Sequence, residues 1–302
     1  MDFNQIIQNF QAAMCVHGIT PPQQIISDGQ LHRFYVQGDK HGSKNGWYVL
    51  FTNTISYGVY GNWKEDGAHK WYSQKYESIG FQERQIIQQQ IAATKLQRAI
   101  IRKREHEEAA QEAHYIYCNA RKPHLNFPYL VRKRIKPFYA RQYRNCLILP
   151  VIDLAKKIWG LQYIAANGQK WFFTNTAKQG NFIPIQAKLT EKSKKILICE
   201  GFATGASLAE CYPDACVIAA CDANNLKPVA VNIHQYTPQA ELIICADDDR
   251  LNPDNPGINK GKEAAIAANA SFIKPQWPLG APEQLTDFND LFCWLSNQEI
   301  AA

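Results

Sequence analysis

The residues of this 302-residue chain best placed to do chemistry are carboxylates. Glu200 ends the run Ile196-Leu197-Ile198-Cys199, and Asp247 and Asp249 follow Leu242-Ile243-Ile244-Cys245-Ala246. Each acid comes abruptly after an unbroken apolar stretch of strand length, the pattern of a strand buried on both faces of a parallel sheet. Ligands of open α/β sheets gather beyond the carboxyl ends of such strands. Acids delivered to one sheet edge repel one another unless a cation lies between them, and hard oxygen ligands suit magnesium or manganese. Alternate residues of an extended chain point the same way, so Asp247 and Asp249 share a direction that Asp248 does not. A third acidic string, Thr286-Asp287-Phe288-Asn289-Asp290-Leu291, adds Asp287 and Asp290 as candidate metal ligands. One metal so held aligns a phosphate, and a pair also activates an attacking hydroxyl and stabilises a leaving pyrophosphate. Capping of helices and turns accounts for Asp254 and can account for Asp287. It does not account for three adjacent aspartates directly after a buried strand.

Strand and helix patterns alternate from Lys194 onward: strands at 196–199, 215–220 and 242–246, and helices at 204–211, from about Asn224, and at 260–270. Such alternation predicts a parallel sheet with helices on both faces. Upstream, residues 146–152, 159–164 and 170–173 alternate as antiparallel strands, with a hairpin signal at Asn167-Gly168 that leads into Lys170. Phe81 to Tyr117 contains neither Gly nor Pro and reads as one long helix, or two with a break. Before it, a helix at 6–16 and strands at 31–36, 46–51 and 57–63 make a small α+β unit whose aromatics are expected in its core. The expected parts are therefore 1–80, a helical linker 81–118, a basic α+β subdomain 119–193 and an α/β domain 194–302.

The net charge of +6 hides a division. Residues 82–144 carry 14 basic and 5 acidic side chains, whereas 196–302 carry 5 and 14. Residues 113–152 hold no acid at all, although the chain averages about one in eleven. Within that segment Arg121, Lys122, Arg132, Lys133, Arg134, Lys136, Arg141 and Arg144 are interleaved with Tyr129, Phe138, Tyr139 and Tyr143. Basic side chains bind phosphates, and aromatic faces stack on bases, so the segment reads as a nucleic-acid or nucleotide surface. Lys170 and Lys260 are further candidates for phosphate contact.

Nine cysteines without a C-x-x-C pair fit a reducing compartment, and the even spacing of Cys211, Cys216 and Cys221 straddles a helix end and a strand, so no zinc is expected. No secretory signal is visible and no apolar run approaches about 18 residues, so a cytoplasmic protein with no membrane partner is expected.

From about Lys194 to Leu291 the arrangement resembles the Toprim domain, the metal-binding fold shared by bacterial-type primases, topoisomerases and certain nucleases. Glu200 in Cys199-Glu200-Gly201 stands at that family's glutamate, and Asp247 and Asp249 stand at its D-x-D pair. Glu200-Gly201-Phe202-Ala203-Thr204-Gly205-Ala206-Ser207-Leu208 looks like the signature of plasmid- and phage-encoded primases of the TraC type. Asn224-Asn225-Leu226, Asn255-Pro256-Gly257 with Lys260, and Asp287-Phe288-Asn289-Asp290-Leu291 are similar to further motifs of those proteins. Upstream, Pro128-Tyr129-Leu130-Val131-Arg132-Lys133 and Trp159-Gly160-Leu161-Gln162-Tyr163-Ile164 resemble their basic half.

The resemblance implies a DNA primase, synthesising short RNA primers on single-stranded DNA from nucleoside triphosphates with Mg2+ or Mn2+. In that reading Asp247 and Asp249 hold metal, Glu200 coordinates it or acts as acid and base, and Asp287 or Asp290 completes the acidic rim. Arg132, Lys133 and Arg134 grip template or triphosphate. Within these residues no C-x-x-C module and no G-x-x-x-x-G-K-[ST] string occurs, so a separate replicative helicase is an expected partner. Two alternatives stand beside this reading: a metal-dependent Toprim nuclease, and a non-catalytic single-stranded-DNA-binding accessory protein of replication.

Overall fold

The computed structural model of the chain describes residues 2–52, 55–64, 67–75 and 78–301. They form two compact units, residues 1–102 and 103–302.

The first unit pairs helix α1 (Phe3–Val16) with an antiparallel sheet of β1 (His32–Phe34), β2 (Gly46–Phe51), β3 (Tyr57–Asn62) and β4 (His69–Tyr72) in that spatial order. Apolar residues at helical spacing turn Phe10 and Met14 of α1 onto Tyr48, Leu50 and Tyr60, all buried. Gly58 is required there, because a Cβ would stand 2.5 Å from the Phe10 ring. Phe10, Phe34, Tyr48, Tyr57 and Tyr60 lie in the core, as expected, whereas Tyr35 and Trp63 are exposed; β4 is an additional strand.

Helix α2 (Phe81–Asn119) is continuous over 39 residues, since nothing in its sequence breaks it. It starts in the first unit, where Ile87 is buried with Ile55, Tyr57 and Ile79. It ends in the second, where Ala113 is buried with Ile148 and Leu161.

The second unit has two sheets. A short helix α3 (Pro128–Lys133) precedes an antiparallel sheet, β5 (Arg141–Tyr143), β6 (Cys146–Ile152), β7 (Ile158–Ala165) and β8 (Lys170–Phe172) in sequence order. The other sheet runs β13-β12-β10-β11-β9, built from β9 (Ile183–Gln186), β10 (Lys195–Cys199), β11 (Cys216–Ala219), β12 (Glu241–Cys245) and β13 (Ser271–Ile273). Four of its strands are parallel and β9 is antiparallel to β11. Helices α4 (Phe202–Cys211) and α7 (Phe288–Ala301) lie on one face, and α5 (Ala223–Tyr236) and α6 (Pro256–Ala267) on the other. Alternate strand residues divide accordingly. Leu197, Cys199, Val217 and Cys245 pack with Phe202, Ala206 and Phe288, while Ile196, Ile198, Ile218 and Ile244 pack with Leu226, Val229, Ile233 and Ala264.

The structure redraws two details. The sheet takes in β9 from upstream of residue 194, an edge strand that tolerates Pro184 because an edge needs fewer paired amides. Helix α6 begins at Pro256 rather than Lys260, and its N-cap is Asn255, whose side chain accepts from Ile258 N; Asp254 does not cap it. All nine cysteines are free thiols; Cys216 and Cys221 are buried and Cys211 is exposed. Among the described residues no helix is long and apolar enough to cross a membrane.

Candidate active site

Strand register brings the acids together. Strands β10 and β12 are parallel neighbours with Cys199 level with Cys245, so Glu200 emerges beside Ala246, one residue before Asp247. On the other side β11 pairs Ala219 with Cys199 and leads on to Asp222. Three adjacent strand ends thus deliver acids to one edge. Gly201 caps α4 directly after Glu200, and Lys170 Nζ of β8 lies 3.9 Å from where a Gly201 Cβ would stand.

The electrostatics of this edge are those of an uncompensated acid cluster. Asp247 is half-buried, but its Oδ1 is shut off from solvent and accepts no hydrogen bond. Burial, then Glu200, Asp287 and Asp249, push its carboxyl well above the ordinary aspartate range, with Lys170 opposing. Burial, then Asp249 and Asp222, raise Glu200, again against Lys170. Asp287 is raised by burial and by Asp290, against Lys133 and Lys170. Among the described residues Lys170 is therefore a cation that acts on all three acids.

Asp248 has the opposite environment. It is 2% exposed, and despite that burial it is held below the usual range by hydrogen bonds from Lys274 Nζ (2.9 Å), Asn255 Nδ2 (2.8 Å) and Trp277 Nε1 (3.0 Å). Its amide donates to Thr286 O at 2.7 Å, which ties the aspartate loop to the start of α7. Asn255 also accepts from Asp249 N at 3.0 Å, so one side chain fixes both neighbours of the loop and the start of α6. Gly257 follows at a point where a Cβ would meet Asp247 O at 2.5 Å; only glycine lets α6 begin against the end of β12.

At the third string, Asp287 Oδ1 accepts from Asp290 N at 2.7 Å, capping α7, and the carboxylate acts electrostatically on Asp247. Asp290 is engaged differently: one oxygen accepts from Thr286 N (3.2 Å) and the other pairs with Lys133 Nζ (3.0 Å). Asn289, 1% exposed, donates to Lys133 O (2.7 Å) and Ser207 Oγ (2.9 Å), joining α3, α4 and α7.

The basic residues fall into separate groups. Lys170 stands at the acids. Lys133 is held by Asp290, Lys136 by Glu210 (3.6 Å) and Lys260 by Glu263 (3.3 Å), while Arg134 donates to Asn297 Oδ1 at 2.6 Å. Arg132 donates to Ala166 O at 3.0 Å, lies over the Tyr129 ring and approaches Gly168, so it clamps the β7–β8 turn that carries Lys170. Arg141 and Arg144 lie over the rings of Tyr117 and Tyr143, 5.8 and 5.2 Å from their centroids. Arg121 bridges to Gln142, and Lys122 lines a groove with Arg141 and Tyr139.

Asp222 and Lys178 escaped the sequence reading. Asp222 caps α5 by accepting from Asn225 N (3.1 Å), pairs with Lys178 Nζ and acts on Glu200. Its signal was the same as that of the other acids, an apolar run ending in a carboxylate at Ala219-Ala220-Cys221-Asp222.

Residues 195–297 match the family model described as Toprim domain. Over 275 residues the chain is 32% identical to a DNA primase TraC of Escherichia coli, covering 88% of this chain and 19% of that protein. A second Escherichia coli DNA primase TraC is 31% identical over 262 residues, covering 85% and 24%. The chain thus spans about a fifth to a quarter of the length of these curated relatives. Similar solved structures include the primase fragment of the bacteriophage T7 primase-helicase protein (15% identity, TM-score 0.40, 54% of this chain and 64% of that one). Another is the DnaG primase catalytic domain bound to ssDNA (12%, TM-score 0.42, 65% and 84%). Likenesses this distant transfer no residue roles. The sequence matches show a Toprim domain at residues 195–297 and a similarity to TraC primases that extends over most of the chain.

Proposed function

We propose that this chain carries the primer-synthesising centre of a DNA primase, which joins nucleoside triphosphates on a single-stranded DNA template at Glu200, Asp247, Asp249 and Asp287. The observation that carries this reading is the orphaned Oδ1 of Asp247 at the meeting point of three acidic strand ends, with Lys170 beside it. The sequence relationship to TraC primases supports it.

The residues fit a divalent cation. Among the described residues no group of three His, Cys, Asp or Glu side chains is placed to hold a metal ion. Magnesium does not need such a group, because it usually takes one or two carboxylates and completes its shell with water and substrate phosphates. Asp247 and Asp249 would hold it, and Glu200 and Asp287 would add their negative charge at the same edge. When bound, Mg2+ or Mn2+ supplies charge neutralisation for a triphosphate and favours departure of pyrophosphate. Lys170 then meets the phosphate charge from β8. Glu200, raised by burial and its acidic neighbours, holds a proton more readily than an ordinary glutamate and serves to take one from the attacking hydroxyl. Arg132 keeps Lys170 in place by clamping the turn. Single-stranded template, nucleoside triphosphates and a separate helicase are the partners this reading requires.

The test is incubation of the protein with single-stranded template, labelled ribonucleotides and Mg2+ or Mn2+. Template-dependent short products support priming, and their loss in Asp247→Ala with Asp249→Ala, with template binding kept, supports the site. A shortened template would mark a nuclease, and a retarded template with neither product would mark a binding module.

A further inference from the structure

On β8, Lys170 and Trp171 are adjacent and point to opposite faces of the antiparallel sheet. Lys170 pairs in register with Ile164, whose face packs into the core shared with α4 and α7. Trp171 pairs with Tyr163, whose face carries Ile148 and Leu161 toward the end of α2. There a groove of about 400 Å³ is lined by Tyr143, Arg144, Tyr163, Trp171 and Phe173. That volume falls within the range of small-ligand pockets, about 300–1,000 Å³.

The rings of Tyr163 and Trp171 are stacked, with centroids 5.5 Å apart and planes 5° from parallel. A parallel pair leaves the outer indole face free to take another flat ring, and Trp171 is 41% exposed. Tyr48 and Tyr60 of the first unit differ: they are 2% and 1% exposed and spent on core packing. Arg144 lies over Tyr143 at the other end of the groove with no carboxylate paired to it among the described residues. Glu112 is an acid that acts on Tyr163, where Arg144 opposes it. A second groove, lined by Lys122, Tyr139 and Arg141, repeats the combination of ring and cation on the β5 side.

We propose that the Tyr143–Arg144–Tyr163–Trp171 groove binds single-stranded DNA by stacking a base on Trp171 and holding a phosphate with Arg144. Flat rings with a cation beside them match a nucleotide chain, since bases of any sequence stack and the phosphates need positive charge. Strand β8 is the edge of its sheet, so a DNA strand can pass around it from this groove to Lys170 on the opposite face. A sheet is about 10 Å thick, so the stacked base lies a few nucleotides from the one at the acids. The proposal rests on the priming reading for the direction of that strand, but its test does not use synthesis.

Binding is measured by anisotropy without nucleoside triphosphates, using labelled oligo-dT and an abasic oligomer of equal length and charge. The full chain should hold oligo-dT more tightly. Trp171→Ala should weaken oligo-dT binding about tenfold, the size of one base lost from an aromatic ring, and leave the abasic oligomer unaffected. Trp171→Phe should restore most of the loss, which separates stacking from misfolding. Arg144→Ala should weaken both oligomers alike and lower the salt slope by about one. If Trp171→Ala binds both as the parent does, or loses both equally, the platform is refuted. Base-dependent binding by a protein that makes no primers would refute the priming reading and keep the platform.

Discussion

Lys133 of α3 and Asp290 of α7 are joined by a 3.0 Å ion pair across 157 residues of chain, and both side chains are about three-quarters buried. Asp290 therefore acts as a tether between the basic and acidic halves of the second unit, whereas Asp287, three residues earlier, acts electrostatically on Asp247.

The tether predicts a split between neighbours. Asp290→Ala leaves the Lys133 ammonium and Thr286 N without their partner, and should destabilise the protein by about 1–3 kcal/mol. Asp287→Asn should leave stability nearly intact and abolish synthesis. Thermal unfolding beside the primer assay decides the matter; an unchanged melting temperature in Asp290→Ala removes the tether.

The acid cluster predicts the sign of a pH effect. Folded Glu200, Asp247 and Asp287 have carboxyl pKa values raised above their unfolded ones, so in this range the folded state binds more protons. Without metal, the contribution of these groups to stability is full below the ordinary carboxylate range, about pH 4, and is lost as pH rises through their raised values. Melting temperature in chelator should fall over that interval. Added Mg2+ should flatten the fall, and Asp247→Asn should remove part of it. A metal-free protein that gains stability over the same range would contradict the cluster.

Gly257 predicts a backbone effect on the site. Gly257→Ala pushes a methyl group to within 2.5 Å of Asp247 O, so α6 must shift from the end of β12. The expected cost is about 1–3 kcal/mol in denaturant unfolding, as for overpacking elsewhere, with a larger relative loss of activity because Asp247 and Asp249 move with the loop.

Arg132 is predicted to act through Lys170. Lys170→Ala should lower kcat/KM at least tenfold, since a point charge at the phosphates is lost. Arg132→Lys should lose several-fold by the same readout, because an ammonium cannot both donate to Ala166 O and stack on Tyr129 as the guanidinium does. Adding Arg132→Lys to Lys170→Ala should then cost little more. An additive loss would show that Arg132 acts independently.

What was legible in the chain follows from what is local. The buried parallel strands showed themselves because both faces are apolar, and the acids marked where each ended. Strand β9 did not, because four residues interrupted by Pro184 are too short an alternation to mark a strand. Likewise β13 spans only Ser271–Ile273. The basic segment was visible as charge, but charge in sequence does not name its partner. Lys133 and Lys136 are taken by Asp290 and Glu210, residues distant along the chain. Nor did the sequence distinguish Asn255 from Asp254 as a cap, since either side chain can serve and only the left-handed backbone at Asn255 (φ 35°) selects it.

The bonds of Asn289 to Lys133 O and Ser207 Oγ bear on how the protein comes into being. A nascent polypeptide has the Asp247 loop long before it has the helix that anchors that loop. Until translation has passed residue 290, the acidic edge lacks its third member and its tie to the basic half. Cleavage ahead of Asp287 would remove both, and with them the part of the proposed centre that Asp287 supplies.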